Sequence, residues 1–150
     1  MYNFVLDVDG VLTDGGFLYS EEGKVFKKFG PHDSYMLNKI RNRINITFIS
    51  ADQRGFKITS QRISDMGFKV TLVKEEDRIN FIENNYDYKN LIYMGDGDAD
   101  AEIILNAYIG FAPSNSRPDA LKSANYITKN KGGQGAVAEA IDYLLEKNIT

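Results

Sequence analysis

The sequence predicts an α/β fold, a three-layer sandwich on a mostly parallel sheet, and three observations lead there. Short apolar runs alternate with helix-length amphipathic stretches through most of the 150 residues, the pattern of successive strand-to-helix crossovers. Right-handed crossovers then set helices on both faces of the sheet. The length suits one ordinary domain, residues 1–150, with a substantial core and no room for a second. Finally, acidic or hydroxyl residues follow three of the strand runs, and ligands of open parallel sheets bind beyond the carboxyl ends of the strands.

Taken in order, Phe4-Val5-Leu6 is the first strand and leads into Asp7-Val8-Asp9-Gly10. Phe17 to Ser20 and Lys24 to Phe29, joined through Glu21-Glu22-Gly23, read as a β-hairpin spanning about 17–29. Ser34 to Arg41 is helical, with Met36, Leu37 and Ile40 on one face. Ile44 to Ser50 is the next strand, Phe56 to Met66 a helix stopped by Gly67, and Lys69 to Val73 a strand. Asp77 to Asn85 is helical through Ile79, Phe81 and Ile82, followed by a strand at Leu91 to Met94 and a helix from Asp98 to Ala107. Tyr108 to Ala112 and Tyr126 to Thr128 are strands, and Arg117 to Ser123 and Gly135 to Lys147 are helices. The glycine-rich Gly132-Gly133-Gln134-Gly135 is either the entry to the last helix or a loop crossing near the site.

Composition narrows the function. A net charge of -3 with 26% charged residues argues against a nucleic-acid binder, whose footprint is a basic excess. The absence of Cys removes disulfides and thiolate metal sites and fits a reducing compartment. The opening apolar segment is short, lacks a basic flank and runs into Asp7, so no signal peptide is read there and a soluble cytoplasmic protein is expected. The hairpin carries large apolar residues on both faces, with Val25 and Phe29 on one side and Phe26 on the other. Such a hairpin packs partly on its own domain and partly on another subunit, or else folds wholly onto its own domain.

The chemistry starts at Asp7 and Asp9. Two carboxylates leaving a buried strand side by side repel each other unless a cation sits there, and strand geometry aims both toward one point. Ser50 ends the second parallel strand, and Gly95-Asp96-Gly97-Asp98-Ala99-Asp100 follows another. Like charges gathered at one sheet edge point to a bound cation. Oxygen ligands without His or Cys select a hard ion, and Mg²⁺ takes one or two carboxylates and completes its shell with water and substrate phosphate. Asp7 and Asp96 are the expected side-chain ligands. Asp98 and Asp100 either support the metal or are helix N-terminal charges favoured by the dipole.

Asp7-Val8-Asp9-Gly10-Val11-Leu12-Thr13-Asp14 resembles the first motif of the haloacid dehalogenase-like phosphohydrolases, in particular the small capless group that contains the 3-deoxyoctulosonate phosphate phosphatases. The resemblance extends to the Gly132-Gly133-Gln134-Gly135-Ala136-Val137 tail. It implies a Rossmann-like sheet without a cap domain and a Mg²⁺-dependent phosphomonoesterase acting on a phosphorylated sugar or sugar acid. It also implies the Asp9 carbonyl as a further metal ligand and a homotetramer in which hairpins shape the neighbour's entrance. A carboxylate and a phosphate dianion at about 3.5 Å repel by roughly 9 kcal/mol at an effective dielectric of about 20, so metal and fixed donors must offset that repulsion. Asp7 would be the nucleophile and form an aspartyl-phosphate, and Asp9 the acid and then the base. Ser50 and one cation would hold the remaining phosphate oxygens.

The match loosens at that cation. The family usually supplies a Lys, whereas the corresponding position here is Arg78, with Lys74 as a competing candidate. Guanidinium can serve the same role by bidentate contact. Gly97 stands where many relatives have Asp, and Ser50 where many have Thr. Gly10, Ala51, Asp52, Arg54 and His32 are the candidate substrate-binding residues, although Ala51-Asp52-Gln53-Arg54-Gly55 departs from the Gly-Arg or Gly-Glu of sugar-acid phosphatases. Arg54, Lys57 and Arg62 either bind a substrate carboxylate or are surface charges, and His32 with Asp33 stands where relatives carry a polar pair at the mouth. Two other classes share parts of this pattern. A phosphoacceptor signalling domain would place its accepting Asp on a middle strand, and a non-catalytic oligomerisation module would not need Asp7, Asp9 and Asp96 together.

Overall fold

The computed structural model describes residues 1–150. Six strands form one parallel sheet in the order β5-β4-β1-β6-β7-β8: β1 (Asn3–Asp7), β4 (Asn45–Ser50), β5 (Val70–Leu72), β6 (Leu91–Met94), β7 (Ile109–Ala112) and β8 (Tyr126–Ile127). A separate antiparallel pair, β2 (Leu18–Ser20) and β3 (Gly23–Phe26), is the hairpin. β1 pairs in parallel with β4 on one side and β6 on the other. The chain thus reverses its winding direction at β1, which is the switch point where open sheets leave a crevice for ligands.

Alternating side chains of the buried strands divide the interior into two cores. Phe4, Leu6, Phe48, Ile92, Met94 and Phe111 face α1 (Pro31–Ile40), α2 (Phe56–Asp65) and α6 (Ala136–Glu146) through Leu37, Ile63 and Ile141. Val5, Ile49 and Tyr93 face the other layer. There α3 (Arg78–Asn85), α4 (Ala101–Asn106) and α5 (Pro118–Ser123) contribute Ile82, Ile103 and Ala120. This is the three-layer sandwich that the alternation predicts. No inserted domain interrupts β1 to α1 or β5 to β6; the hairpin is the only addition after β1.

The departures from expectation have local causes. The first helix begins at Pro31 rather than Ser34, because proline at the first helical position needs no N–H partner and already has a helical φ. Asp33, in its first turn, is buried and accepts the Ala138 N–H at 2.9 Å, so it caps α6 from a neighbouring element. Asp98–Asp100 forms a 3₁₀ turn and α4 starts only at Ala101, since the backbone there is held by the Asp100 side chain. The hairpin's second strand stops at Phe26 instead of reaching Phe29, because Lys27 turns inward, where its side chain is fully buried. The glycine-rich segment does both of the things expected of it. Gly133 donates to the Val11 carbonyl at 3.2 Å, while Gly135, at φ 99°, precedes α6.

The α1–α6 contact should be the most sensitive packing in the larger core. Leu37 is fully buried there, and Leu37→Ala is expected to cost about 2–5 kcal/mol, read as a lower urea midpoint with an unchanged m-value.

Candidate active site

β1 carries its apolar run through Leu6 and ends on Asp7, which is 7% exposed. One Asp7 oxygen accepts the Val8 N–H at 2.9 Å, and the other lies 3.5 Å from Arg78 Nη1. From the neighbouring strand β6, the Gly95-Asp96-Gly97 loop brings Asp96 alongside. Carboxylate oxygens of Asp7, Asp96 and Asp100 lie within 4.8 Å of one another, close enough for one ion. The approach depends on Gly10, at φ 83°, because a β-carbon there would lie 1.8 Å from Asp96 Oδ2. Burial, and then the neighbouring Asp100, pushes Asp96 up to about 6. Burial likewise holds Asp7 well above the usual carboxylate range, with Asp100 and Asp96 adding to the rise and Arg78 opposing it. Such a cluster is poorly neutralised by the chain alone, and its all-carboxylate donor set fits a hard divalent ion.

Asp100 also has a bracing role. Its Oδ1 accepts from Arg78 at 2.7 Å and from the Tyr93 hydroxyl, and its Oδ2 accepts the backbone N–H groups of Asp96 and Gly97 at 3.0 and 2.9 Å. Both oxygens are engaged, so Asp100 braces the loop that carries Asp96 and orients Arg78. Asp98 points away: it is exposed and 3.5 Å from Arg117. The two candidate cations are placed differently. Arg78 is 3% exposed and reaches both Asp7 and Asp100. Burial works against its charge, but the Asp7 carboxylate and its neighbours hold its pKa above the ordinary value. Lys74 stands exposed at the rim.

Asp9 does not join the acidic trio. Its Oδ1 is 2.8 Å from Lys27 Nζ, and its side chain is 31% exposed toward a cavity of about 610 Å³. The Asp9 carbonyl accepts no hydrogen bond from the chain, which leaves it available as a ligand. Ser50 is fully buried at the end of β4, one residue beyond the Asp7–Ile49 pairing, and its hydroxyl accepts the Asp52 N–H at 3.2 Å.

The substrate-binding expectations are partly corrected. Ala51 and Asp52 line the cavity. The Asp52 carboxylate, however, is taken by Lys24 at 2.8 Å, Lys27 at 2.7 Å and the Gly55 N–H at 3.1 Å. Burial alone would raise its pKa, but the two ammonium groups hold it near 2, so it is a fixed anion of the wall. The Gly10 N–H is occupied by Thr13 Oγ1 at 3.1 Å, which removes it as a phosphate donor in this conformation. Arg54 and His32 are exposed and do not line the cavity. His32 points outward because the next residue, Asp33, is the one turned inward to cap α6. Arg62 reaches Gly30 and Phe29 rather than the cavity. Sequence reasoning missed Lys24 and Lys27. The signal was present in the hairpin, where Lys27 falls between the apolar Val25 and Phe29 on one face.

A parallel sheet with carboxylates converging on its switch point is a doubly wound α/β fold with a candidate cation site at that edge. The family model for haloacid dehalogenase-like hydrolase matches residues 38–141, and the chain belongs to that family. It is 26% identical over 147 aligned positions to the 3-deoxy-D-manno-octulosonate 8-phosphate phosphatase of Yersinia pestis, covering 94% of this chain and 78% of that protein. The cobalt-bound deoxy-D-mannose-octulosonate 8-phosphate phosphatase of Haemophilus influenzae superposes with a TM-score of 0.82 at 26% identity, covering 97% and 88% of the two chains. The Moraxella catarrhalis 3-deoxy-D-manno-octulosonate 8-phosphate phosphatase, solved with magnesium, phosphate and its sugar acid, shares the fold at a TM-score of 0.84 and 24% identity, covering 97% and 86%.

The raised carboxylates set a direction for pH dependence. With a folded-state pKa near 6 against an ordinary 3.8, Asp96 prefers its proton in the fold. Its contribution to stability is full below the ordinary value and is lost as pH rises through about 6. The metal-free protein should therefore melt lower at about pH 7.5 than at about pH 5. Excess Mg²⁺ should raise the melting temperature more at the higher pH, and calorimetry at both values checks this.

Proposed function

We propose that residues 1–150 form one catalytic domain, a Mg²⁺-dependent phosphomonoesterase acting on a phosphorylated sugar or sugar acid. The observation that carries the reading is the convergence, at one sheet edge, of Asp7 and Asp96 oxygens with Asp9 two residues beyond Asp7 on the cavity wall. The similar phosphatases from Yersinia pestis and Haemophilus influenzae support both the reaction class and the sugar-acid substrate type.

Asp7, Asp96 and the Asp9 carbonyl would hold the metal, which when bound supplies positive charge against the phosphate oxygens. The rest is done by the chain. Asp7 attacks phosphorus in line, the bond to the sugar oxygen breaks as the new bond forms, and Asp9 gives its proton to the departing oxygen. Ser50 and Arg78 contribute fixed donors where charge collects on the transferring group. Asp9, now ionised, takes a proton from water as it attacks the aspartyl-phosphate, which frees phosphate and restores Asp7. Asp100 and Tyr93 keep Arg78 and the β6 loop in place throughout.

The cavity is wide and has no covering domain within the chain. Phe17, Leu18, Tyr19, Val25 and Phe26 of the hairpin are 37–65% exposed. That apolar face fits a second copy of the chain, and a homotetramer assembled through the hairpins would narrow the entrance. Leu18→Asp with Phe26→Asp should yield smaller species by light scattering, with the melting temperature of the separated subunit measured alongside.

Hydrolysis of p-nitrophenyl phosphate tests the activity. The wild type should turn over with Mg²⁺ and stop with a chelator. Asp7→Asn should abolish turnover, whereas Asp9→Asn should lower kcat by about 100-fold or more while leaving phosphate binding nearly intact. Among phosphorylated sugar acids and hexoses ranked by kcat/KM, the sugar acids should lead; inert wild-type protein under every condition would refute the proposal.

A further inference from the structure

Lys27 is a charged side chain with no exposed surface, and all three of its N–H groups have acceptors. They are Asp9 Oδ1 at 2.8 Å, Asp52 Oδ2 at 2.7 Å and Thr59 Oγ1 at 2.9 Å. The acceptors come from three places: the loop after β1, the loop after β4, and α2. Burying an ammonium is favourable only when its geometry is this complete. The pocket is also shaped for it, because a β-carbon on Gly55 would come within 2.8 Å of Lys27 Cε and 2.3 Å of Asp52 Oδ2.

Anchoring the hairpin does not require the Asp9 contact. Asp52 already holds Lys24 as well as Lys27, and with Thr59 it would pin the ammonium without help. What the Asp9 contact adds is an orientation. An Asp side chain on a loop turns about two bonds, and with one oxygen fixed by Lys27 the other is left without a partner in the chain, facing the cavity. A proton donor must lie within hydrogen-bond reach of the oxygen it serves, and small misplacements cost large factors in rate.

We propose that Lys27 is the positioning residue for Asp9: the buried hairpin ammonium, held by Asp52 and Thr59, sets the carboxyl that transfers a proton to the leaving oxygen. The inference rests on the phosphatase reading above and assigns a catalytic consequence to the base of the hairpin. As the phosphorus–oxygen bond breaks, the proton passes from the free oxygen of Asp9 to the departing sugar oxygen, while the oxygen on Lys27 stays in place. A nitrophenolate leaves without needing that proton; a sugar alkoxide does not.

The test compares kcat/KM of Lys27→Met and wild type on p-nitrophenyl phosphate and on a sugar phosphate that the wild type hydrolyses, both with Mg²⁺. This parameter reports the steps up to transfer onto Asp7 and so isolates departure of the leaving group. The expected losses are about 100-fold on the sugar phosphate and about tenfold or less on the aryl ester. In an Asp9→Asn background, Lys27→Met should leave the ratio between the substrates unchanged. Equal losses on both substrates, or a ratio shift that persists with Asp9→Asn, would overturn the inference while leaving the phosphatase reading intact. Wild type inert on both would overturn the two together. If Lys27→Met does not fold, Lys27→Arg reads the same ratio. Its planar fork keeps the charge but does not reproduce the three-way geometry of the ammonium, so a smaller shift in the same direction is expected, and an unshifted ratio would refute the proposal.

Discussion

Repulsion among carboxylates gathered at the carboxyl edge of the sheet is the constraint on which the rest depends. Asp7, Asp96 and Asp100 are held within one ion's reach, and burial raises the cost of ionising the first two. The fold answers with fixed countercharge. Arg78 sits between Asp7 and Asp100, and Asp100 in turn ties down the backbone of the β6 loop. The arrangement leaves an excess of negative charge suited to a divalent ion, held in place by fixed hydrogen-bond donors.

A second charge group, across the cavity, follows the same logic with the signs reversed in emphasis. Two hairpin lysines meet Asp9 and Asp52, so the hairpin is bound to the catalytic edge through ion pairs while its apolar face stays exposed. The hairpin thus joins three features in one short segment: it walls the cavity through Phe17 and Lys24, it reaches Asp9 through Lys27, and it leaves Leu18, Tyr19 and Phe26 exposed.

Much of this was readable in the chain. Strand and helix positions follow from the periodicity of apolar residues; most boundaries shifted by a residue or so, and the larger shifts came where a side chain made a local commitment, as Pro31 did for α1 and Lys27 for β3. Asp7, Asp9 and Asp96 could be picked out because an acid directly after an apolar strand has few purely structural uses. Arg54 and His32 could not be placed, since a surface charge and a ligand-binding charge look alike in sequence when their neighbours in space are unknown. Lys24 and Lys27 were passed over because a hairpin lysine is ordinarily solvated.

The sequence by itself determined the layering, the parallel sheet and the family, because these depend on residue periodicity and on a contiguous acidic motif. The tertiary structure alone decided which groups touch. It buried Arg78 against Asp7 and Asp100 and left Lys74 exposed, tied Asp100 to the β6 loop, turned Asp52 into a partner of two lysines and buried Lys27 beside Asp9. Those outcomes depend on distances between strands and loops far apart in the chain, and electrostatic energies inside a protein change steeply over such distances.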